Sequence, residues 1–197
     1  FSDTVIINAV NTAKTMLVGN HRQSGSIRSD DLARTELINN TTIAFTREGD
    51  TENLDFVVYV VEFTDSTIIQ HGSVSFVDGE TNKTVNIIPV DTNCSGVIAP
   101  GNFGRQGSTT FSTDDNVGHV WFTFELNDTD SVIIKRAASG DSAVAPFQVV
   151  VFSGSACARC NDETRNQGET GIDCGGPCPP CSNETCSDGV RNQDVTG

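Results

Sequence analysis

Basic residues are scarce in this chain. Twelve Lys and Arg stand against 26 Asp and Glu, giving a formal net charge of −14 and a pI near 4.3. Binding of nucleic acid draws on Lys and Arg clustered against phosphates, and anionic membrane surfaces call for the same residues. Neither is an expected partner. Long apolar runs are also missing. The longest sit in FVVYVVEF and FQVVVF, both of strand length and well short of the ~18 residues of a spanning helix. No membrane insertion is expected in this segment. No signal peptide is visible, although a mature extracellular protein would have lost one. The three histidines, His21, His71 and His119, form no HExxH or other ligand-spaced set, and G-x-S-x-G, P-loop and dinucleotide fingerprints are all absent. A non-enzymatic role is the expectation.

What the chain does have is repetition on two scales. Residues 4–12 (TVIINAVNT) match residues 84–92 (TVNIIPVDT), Arg22-Gln23 matches Arg105-Gln106, and Asp30-Asp31 matches Asp114-Asp115. Residues 37–63, ending FVVYVVEF, match residues 126–152, ending FQVVVF, without a gap. Nearer the C-terminus, CNDETRNQGETG at 160–171 recurs as CSDGVRNQDVTG at 186–197. Self-similarity of this kind marks arrays, which build length and surface more often than catalysis. The second long copy opens with IIQHGSVSF; the counterpart in the first copy would fall ahead of Phe1. Two explanations stand open: the piece was cut there, or a neighbouring molecule supplies the strand by donor-strand addition.

No segment carries a helical period. Short β-rich runs bounded by Gly, Asn, Asp and Ser recur at intervals of about ten residues, the pattern of an all-β sandwich. In HVWFTFEL, Val120, Phe122, Phe124 and Leu126 alternate with His119, Trp121, Thr123 and Glu125, so one face is apolar by period two. Val74 and Phe76 share a face, and Ile43 and Phe45 point inward with Arg47 at the rim. FVVYVVEF is apolar on both faces, which predicts a strand central to its sheet and covered on each side. Arg47 and Arg136 correspond between the copies, as strand-end ion pairs or sugar contacts. The paired acids Asp30-Asp31 and Asp114-Asp115 read as loop chemistry or a weak cation site. Trp121 is the only Trp, suited to sugar stacking or to burial between modules.

Six of the seven cysteines lie between 157 and 186 in a Gly/Pro/Asn-rich tail, the usage of an oxidising, extracellular compartment. Cys160, Cys174, Cys178 and Cys181 form one unit and Cys186 begins the next, with its partner expected beyond Gly197. Four cysteines allow three pairings, and these stay open. Cys157 has no counterpart in the second unit and is free to pair with Cys94 or to stitch the tail to the sandwich. The same spacing admits a zinc ribbon or a redox CxxC, but Cys174 and the absence of a βαβ context count against them. Asp162, Asn166, Glu169 and Asp173 put hard oxygen ligands within twelve residues, a candidate calcium site. The bland alternative is turn-capping side chains in a disulfide knot. N-linked glycans are expected at the sequons of Asn39, Asn40, Asn82, Asn93, Asn127 and Asn183.

The tail resembles a known repeat. The pattern C-x-D-G-x-x-N-Q-x-E-T-x-x-D-C-G-G-x-C belongs to large secreted and cell-surface proteins of microbes and protists. CNDETRNQGETGIDCGGPC at 160–178 matches it with Glu163 in place of Gly, and CSDGVRNQ at 186–193 matches its start. The resemblance covers about a fifth of the chain and implies an extracellular, adhesin-like or appendage-like protein. The upstream copies look like β-sandwich modules of surface fibres or flagellar hairs. The expectation is therefore an all-β chain of two tandem Ig-like β-sandwich modules, 1–63 and 67–155, followed by a small disulfide-rich repeat module, 156–197. A single pseudo-symmetric sandwich built from both copies is the structural alternative. Its expected role is a structural segment of a glycosylated fibre, filament or appendage, partnered by a homo-polymer or by neighbouring repeats. The competing role is an adhesin or lectin-like module that binds glycans with calcium, and a third is the accessory region of a secreted enzyme.

Overall fold

The computed structural model describes residues 2–23, 33–47, 54–100, 121–140, 142–153, 165, 170–176 and 178–181. They form an all-β, sandwich-like structure. Its strands are β1 (Ser2–Ile6), β2 (Thr15–Gln23), β3 (Ala33–Asn39), β4 (Thr42–Arg47), β5 (Leu54–Glu62), β6 (Ile68–Phe76), β7 (Asn82–Asn86), β8 (Ser95–Ile98), β9 (Phe122–Asp128), β10 (Ser131–Arg136) and β11 (Ala143–Val151). A short 3-10 turn, Thr12–Lys14, precedes β2. Four sheets run β1-β4-β3, β7-β10-β9, β6-β11-β8 and β2-β5. Phe1–Phe152 make one compact unit and Ser153–Gly197 a second. Among the described residues no helix is long and apolar enough to cross a membrane.

The sequence repeat is a repeat of pairing register. Thr4 opposite Ala44 and Val5 opposite Ile43 in β1/β4 become Thr84 opposite Ile133 and Val85 opposite Val132 in β7/β10. Both hairpins carry a bulge at the same place. Leu37 faces Ile43 before Asn39 meets Thr42, and Leu126 faces Val132 before Asp128 meets Ser131. Thr15 opposite Glu62 and Leu17 opposite Val60 become Ser95 opposite Val151 and Val97 opposite Val149. Bonds between strands repeat too. Ile7 N–H donates to Thr41 O as Ile87 does to Asp130 O, and Phe63 N–H to Lys14 O as Phe152 does to Cys94 O. Asn11 Oδ1 accepts from Ala13 N–H as Asp91 Oδ1 does from Asn93 N–H. A one-residue slip would turn each apolar set to solvent, so conserving the apolar pattern between copies conserves the register.

The second copy holds the larger core. Phe76 of β6, 1% exposed, packs on Phe122 at 5.1 Å between ring centroids, over Val132, Ala145 and Phe147. Burying one such ring is worth about 1.5–3 kcal/mol. Arg136, at the end of β10 and 5% exposed, secures the turn that follows β6. Its Nε and Nη2 donate to Glu80 O and Val77 O, at 2.7 and 2.9 Å, and its guanidinium lies over the Phe76 ring. Gly72 lies under Phe147, where a Cβ would enter the ring.

The copies differ in one strand. β11 is flanked by β6 and β8, and Ala145 through Val150 are all buried. β5 pairs with β2 alone among the described residues. The double-faced apolar pattern of FVVYVVEF does not make a central, covered strand here. Val57, Tyr59 and Val61 are 54%, 66% and 36% exposed, because β5 has one strand neighbour and nothing described lies over that face.

In the tail, Cys174 bonds Cys181 across seven residues, and Cys178 is disulfide-bonded as well. The run Thr170-Gly-Ile-Asp-Cys-Gly-Gly supplies the turns that bring the sulfurs together. Asp173, Gly175 and Gly176 all have positive φ, at 55°, 72° and 61°, the region that glycine enters freely. A Cβ on Gly175 would run into Thr170 Oγ1, and one on Gly171 would meet both sulfurs of the bridge.

Candidate assembly surface

The two copies touch through one face of the β6/β11 pair. Ile69 lies opposite Val150 and His71 opposite Gln148, so these four side chains share a face. Ile69, Val150 and Gln148 are 3%, 2% and 0% exposed. Against them lies the outer edge of β2. Gln148 Nε2 donates to Leu17 O and Gln148 Oε1 accepts from Leu17 N–H, both at 2.8 Å. A side-chain amide has the donor and acceptor of a peptide group, so Gln148 satisfies one residue of the β2 edge as a neighbouring strand would. His71 Nε2 lies 3.1 Å from Thr12 O and 3.0 Å from Thr15 O. Carbonyls only accept, so Nε2 carries the proton.

Hydrogen bonds at the linker join the two copies beside this contact. Thr67 N–H donates to Asp65 Oδ1 at 2.9 Å, and Lys14 Nζ donates to Asp65 O. Thr64-Asp65-Ser66 is thereby tied at the start of β6 to the turn that His71 caps.

The corresponding face of the first copy is open. Pro146, Gln148 and Val150 occupy the places of Val57, Tyr59 and Val61, as the matched registers require. Val18, beside them on β2 opposite Tyr59, is 42% exposed. A face of Val, Tyr, Val and Val is thus exposed in one copy, while its counterpart is buried against a neighbour in the other. Apolar exposure at equivalent positions marks an interaction surface more strongly than apolar residues scattered singly.

Backbone polarity follows from Leu17. Its N–H and C=O turn outward to Gln148, so Leu17 and Val60 form a non-hydrogen-bonded pair and Val60 must turn its own groups away from β2. Period two places Val58 the same way. The bond from Phe63 N–H to Lys14 O agrees, because it sets Phe63, Val61 and Tyr59 toward β2. In the second copy these outward groups face β6. Pro146 lacks an N–H where one would point to the β8 side, and β8 ends opposite Gln148, so no ladder bond is lost.

The sites read from the sequence fall mostly elsewhere. Asn39, Asn40, Asn82, Asn93 and Asn127 are all exposed, in turns or at strand ends; Asn183 lies outside the described residues. Asn39 Oδ1 accepts from the Thr41 N–H and hydroxyl. Cys94 is a buried thiol ahead of β8, while Cys157, Cys160 and Cys186 lie outside the description. Asp173 shapes a turn, but Asp162, Asn166 and Glu169 also lie outside it, as do the two Asp-Asp pairs, His119 and the side chains of His21 and Arg47. Among the described residues no group of three or more His, Cys, Asp or Glu could hold a metal. Trp121 is 51% exposed. Neither Gln148 nor Leu17 stood out beforehand. The signal available was a single Gln inside the apolar run of FQVVVF. No family model matches the chain, and no curated protein or solved structure is significantly similar to it.

Proposed function

We propose that this chain is a non-enzymatic structural segment of an extracellular, N-glycosylated fibre, filament or surface appendage. It is built of two Ig-like β-sandwich modules, 1–63 and 67–155, followed by disulfide-rich repeats, 156–197. The observation that carries this is the Gln148–Leu17 contact together with its open counterpart. One module's sheet face seats on the preceding module's β2 edge, and the same face of the first module, Val57, Tyr59 and Val61, is bare. A surface that is used once and repeated once fits a head-to-tail array, which a heterologous contact extends indefinitely unless it closes. Exposed sequons would place glycans around the array, and short cross-linked repeats would resist proteolysis. Asp65, bonded to both modules, supplies the stiffness.

Electron microscopy of the native material, with intact mass of the chain, tests the proposal. Filaments whose axial repeat is set by stacked β-sandwiches, with hexose-bearing mass increments on the chain, are the expected result. Monodisperse particles without added sugar mass would remove it.

A further inference from the structure

We infer that Asn93 carries an N-linked glycan added before the second copy folds, and that folding then closes the site. This deepens the N-glycosylation proposed above and rests on it, since it separates one sequon from the others by when a sugar can reach it. The inference stands on a hydroxyl without a partner. In the sequon Asn93-Cys94-Ser95, Ser95 Oγ is buried and makes no hydrogen bond among the described residues. Burying a hydroxyl unpaired disfavours the folded state.

The first copy shows what the same position does when it serves the fold alone. Asn11, Ala13, Lys14 and Thr15 stand at the places of Asp91, Asn93, Cys94 and Ser95, and the turn bonds match. Thr15 is 0% exposed, and its Oγ1 donates to Asn11 O at 2.7 Å. The hydroxyl is thus bonded where Ala13 leaves no sequon, and unbonded where Asn93 makes one. An Asn-x-Ser/Thr acceptor needs the hydroxyl at its third place, so Ser95 has a use outside the folded state.

The fold also sets the order of events. Ser95 pairs with Val151 and Gly96 with Val150 in β8/β11. Cys94 is 7% exposed; its N–H donates to Asp91 O and its C=O accepts from Phe152 N–H, at 3.0 and 2.9 Å. A transferase that must reach the Asn amide and the hydroxyl two residues on finds the second one in the interior. Asn127-Asp128-Thr129 is the contrast, with all three residues exposed at the β9–β10 turn. A sugar attached earlier is accommodated, because Asn93 is exposed and its Nδ2 donates to Asp91 Oδ1 at 3.1 Å. That bond needs one Nδ2 hydrogen and glycosylation takes the other. Nδ2 bonds to the anomeric carbon of a lipid-diphosphate oligosaccharide. The bond from that carbon to the diphosphate breaks, the lipid diphosphate leaves with the electron pair, and Nδ2 gives up one proton.

The test uses the full chain made without sugar, a detergent-solubilised oligosaccharyltransferase and its lipid-diphosphate oligosaccharide donor. The chain is offered folded, and as Val149→Asp, which puts a charge at a fully buried place in β11 and unfolds the second copy; circular dichroism confirms the loss of sheet. Glycopeptide mass spectrometry reads each sequon. Asn93 should take sugar in the unfolded variant, and at least about tenfold more slowly in the folded chain, where the site opens only as β8 leaves β11. Asn127 should take sugar in both. Ser95→Ala should abolish the sugar at Asn93 and, in the sugar-free chain, leave the urea midpoint no lower, whereas Thr15→Ala should lower it. Equal rates at Asn93 in the two states, the same slowing at Asn127, sugar at Asn127 but never at Asn93, or a lower midpoint for Ser95→Ala would each overturn this inference and leave the glycosylated fibre standing. Sugar at no sequon in either state would overturn both.

Discussion

Replacing Gln148 by Leu tests whether one amide holds the two copies together. The side chain is fully buried and makes two bonds to Leu17, itself 0% exposed. Leu fills much the same volume but leaves the Leu17 N–H and C=O unpaired. Each buried group so stranded costs about 1–3 kcal/mol, and the added apolar contact offsets about 1 kcal/mol. A net loss of about 3 kcal/mol follows. At roughly 2–4 °C per kcal/mol for a domain of this size, Tm should fall by about 6–12 °C. Urea unfolding followed by circular dichroism reads the same loss as a lower midpoint. Gln148→Glu refines the test. Its carboxylate can accept from Leu17 N–H but opposes Leu17 C=O, while the protonated acid can satisfy both. Burial and the carbonyl raise its folded pKa above the unfolded value of about 4.3. Relative to the parent chain, the variant should come nearest in stability below that value and fall away as pH rises through the folded pKa. A loss under about 0.5 kcal/mol for the Leu variant, which is what an ordinary surface change gives, would refute the role assigned to Gln148.

Gly72→Ala drives a Cβ into the Phe147 ring and should cost about 1–3 kcal/mol; Phe147→Leu in the same chain should recover part of that, a coupling read by a double-mutant cycle. Glu80 is held below the usual carboxylate range by its bond from Lys83 and by the Val77 N–H. Its contribution is present above the unfolded value of about 4.3 and is lost as pH falls through the folded value, so Glu80→Gln should flatten that part of the pH–urea midpoint curve. Gly175→Ala should open the tail to proteolysis, since its φ is 72° and the space is held by Thr170. Cys181→Ser should do the same, by removing the bridge to Cys174, and should leave the urea midpoint of the sheets unchanged.

Much of the fold was legible because β-structure writes itself in period two. Phe122, Phe124 and Leu126 alternate in the sequence and all three belong to the core or pack on it. The repeat was legible as well, and with it the register, because bulges and turns carry matching residues such as Asn11 and Asp91. FVVYVVEF was misread for a physical reason. An apolar pattern on both faces states that a strand suits burial on both sides, not that this molecule provides the cover. β11, with the same pattern, has β6 beside it and the first copy beneath it. β5 has β2 alone. The contact residues were hidden for a different reason. Gln148 acts on a backbone group 131 positions away, and no local period encodes a partner whose contribution is its peptide bond. Arg136 looked like a strand-end charge, whereas its guanidinium reaches the carbonyls of a turn and the face of Phe76.

The edges explain why so exact a register repeat accompanies so different a set of residues at the faces. A sheet edge is a row of unpaired peptide groups and invites any extended chain. On β2 that invitation is withdrawn by two bonds from one glutamine, a closure that only a sheet face docked at a fixed height can provide. Shifting the register of β11 by one residue would turn Gln148 into the core and Phe147 and Val149 out of it, and would leave Leu17 without its partner. Register is therefore under two constraints at once, the apolar pattern of the core and the height of a single amide. The open face of the first copy is under neither. Tyr59 can stand where Gln148 stands, and Val57 where Pro146 stands, provided that the backbone beneath them keeps its place.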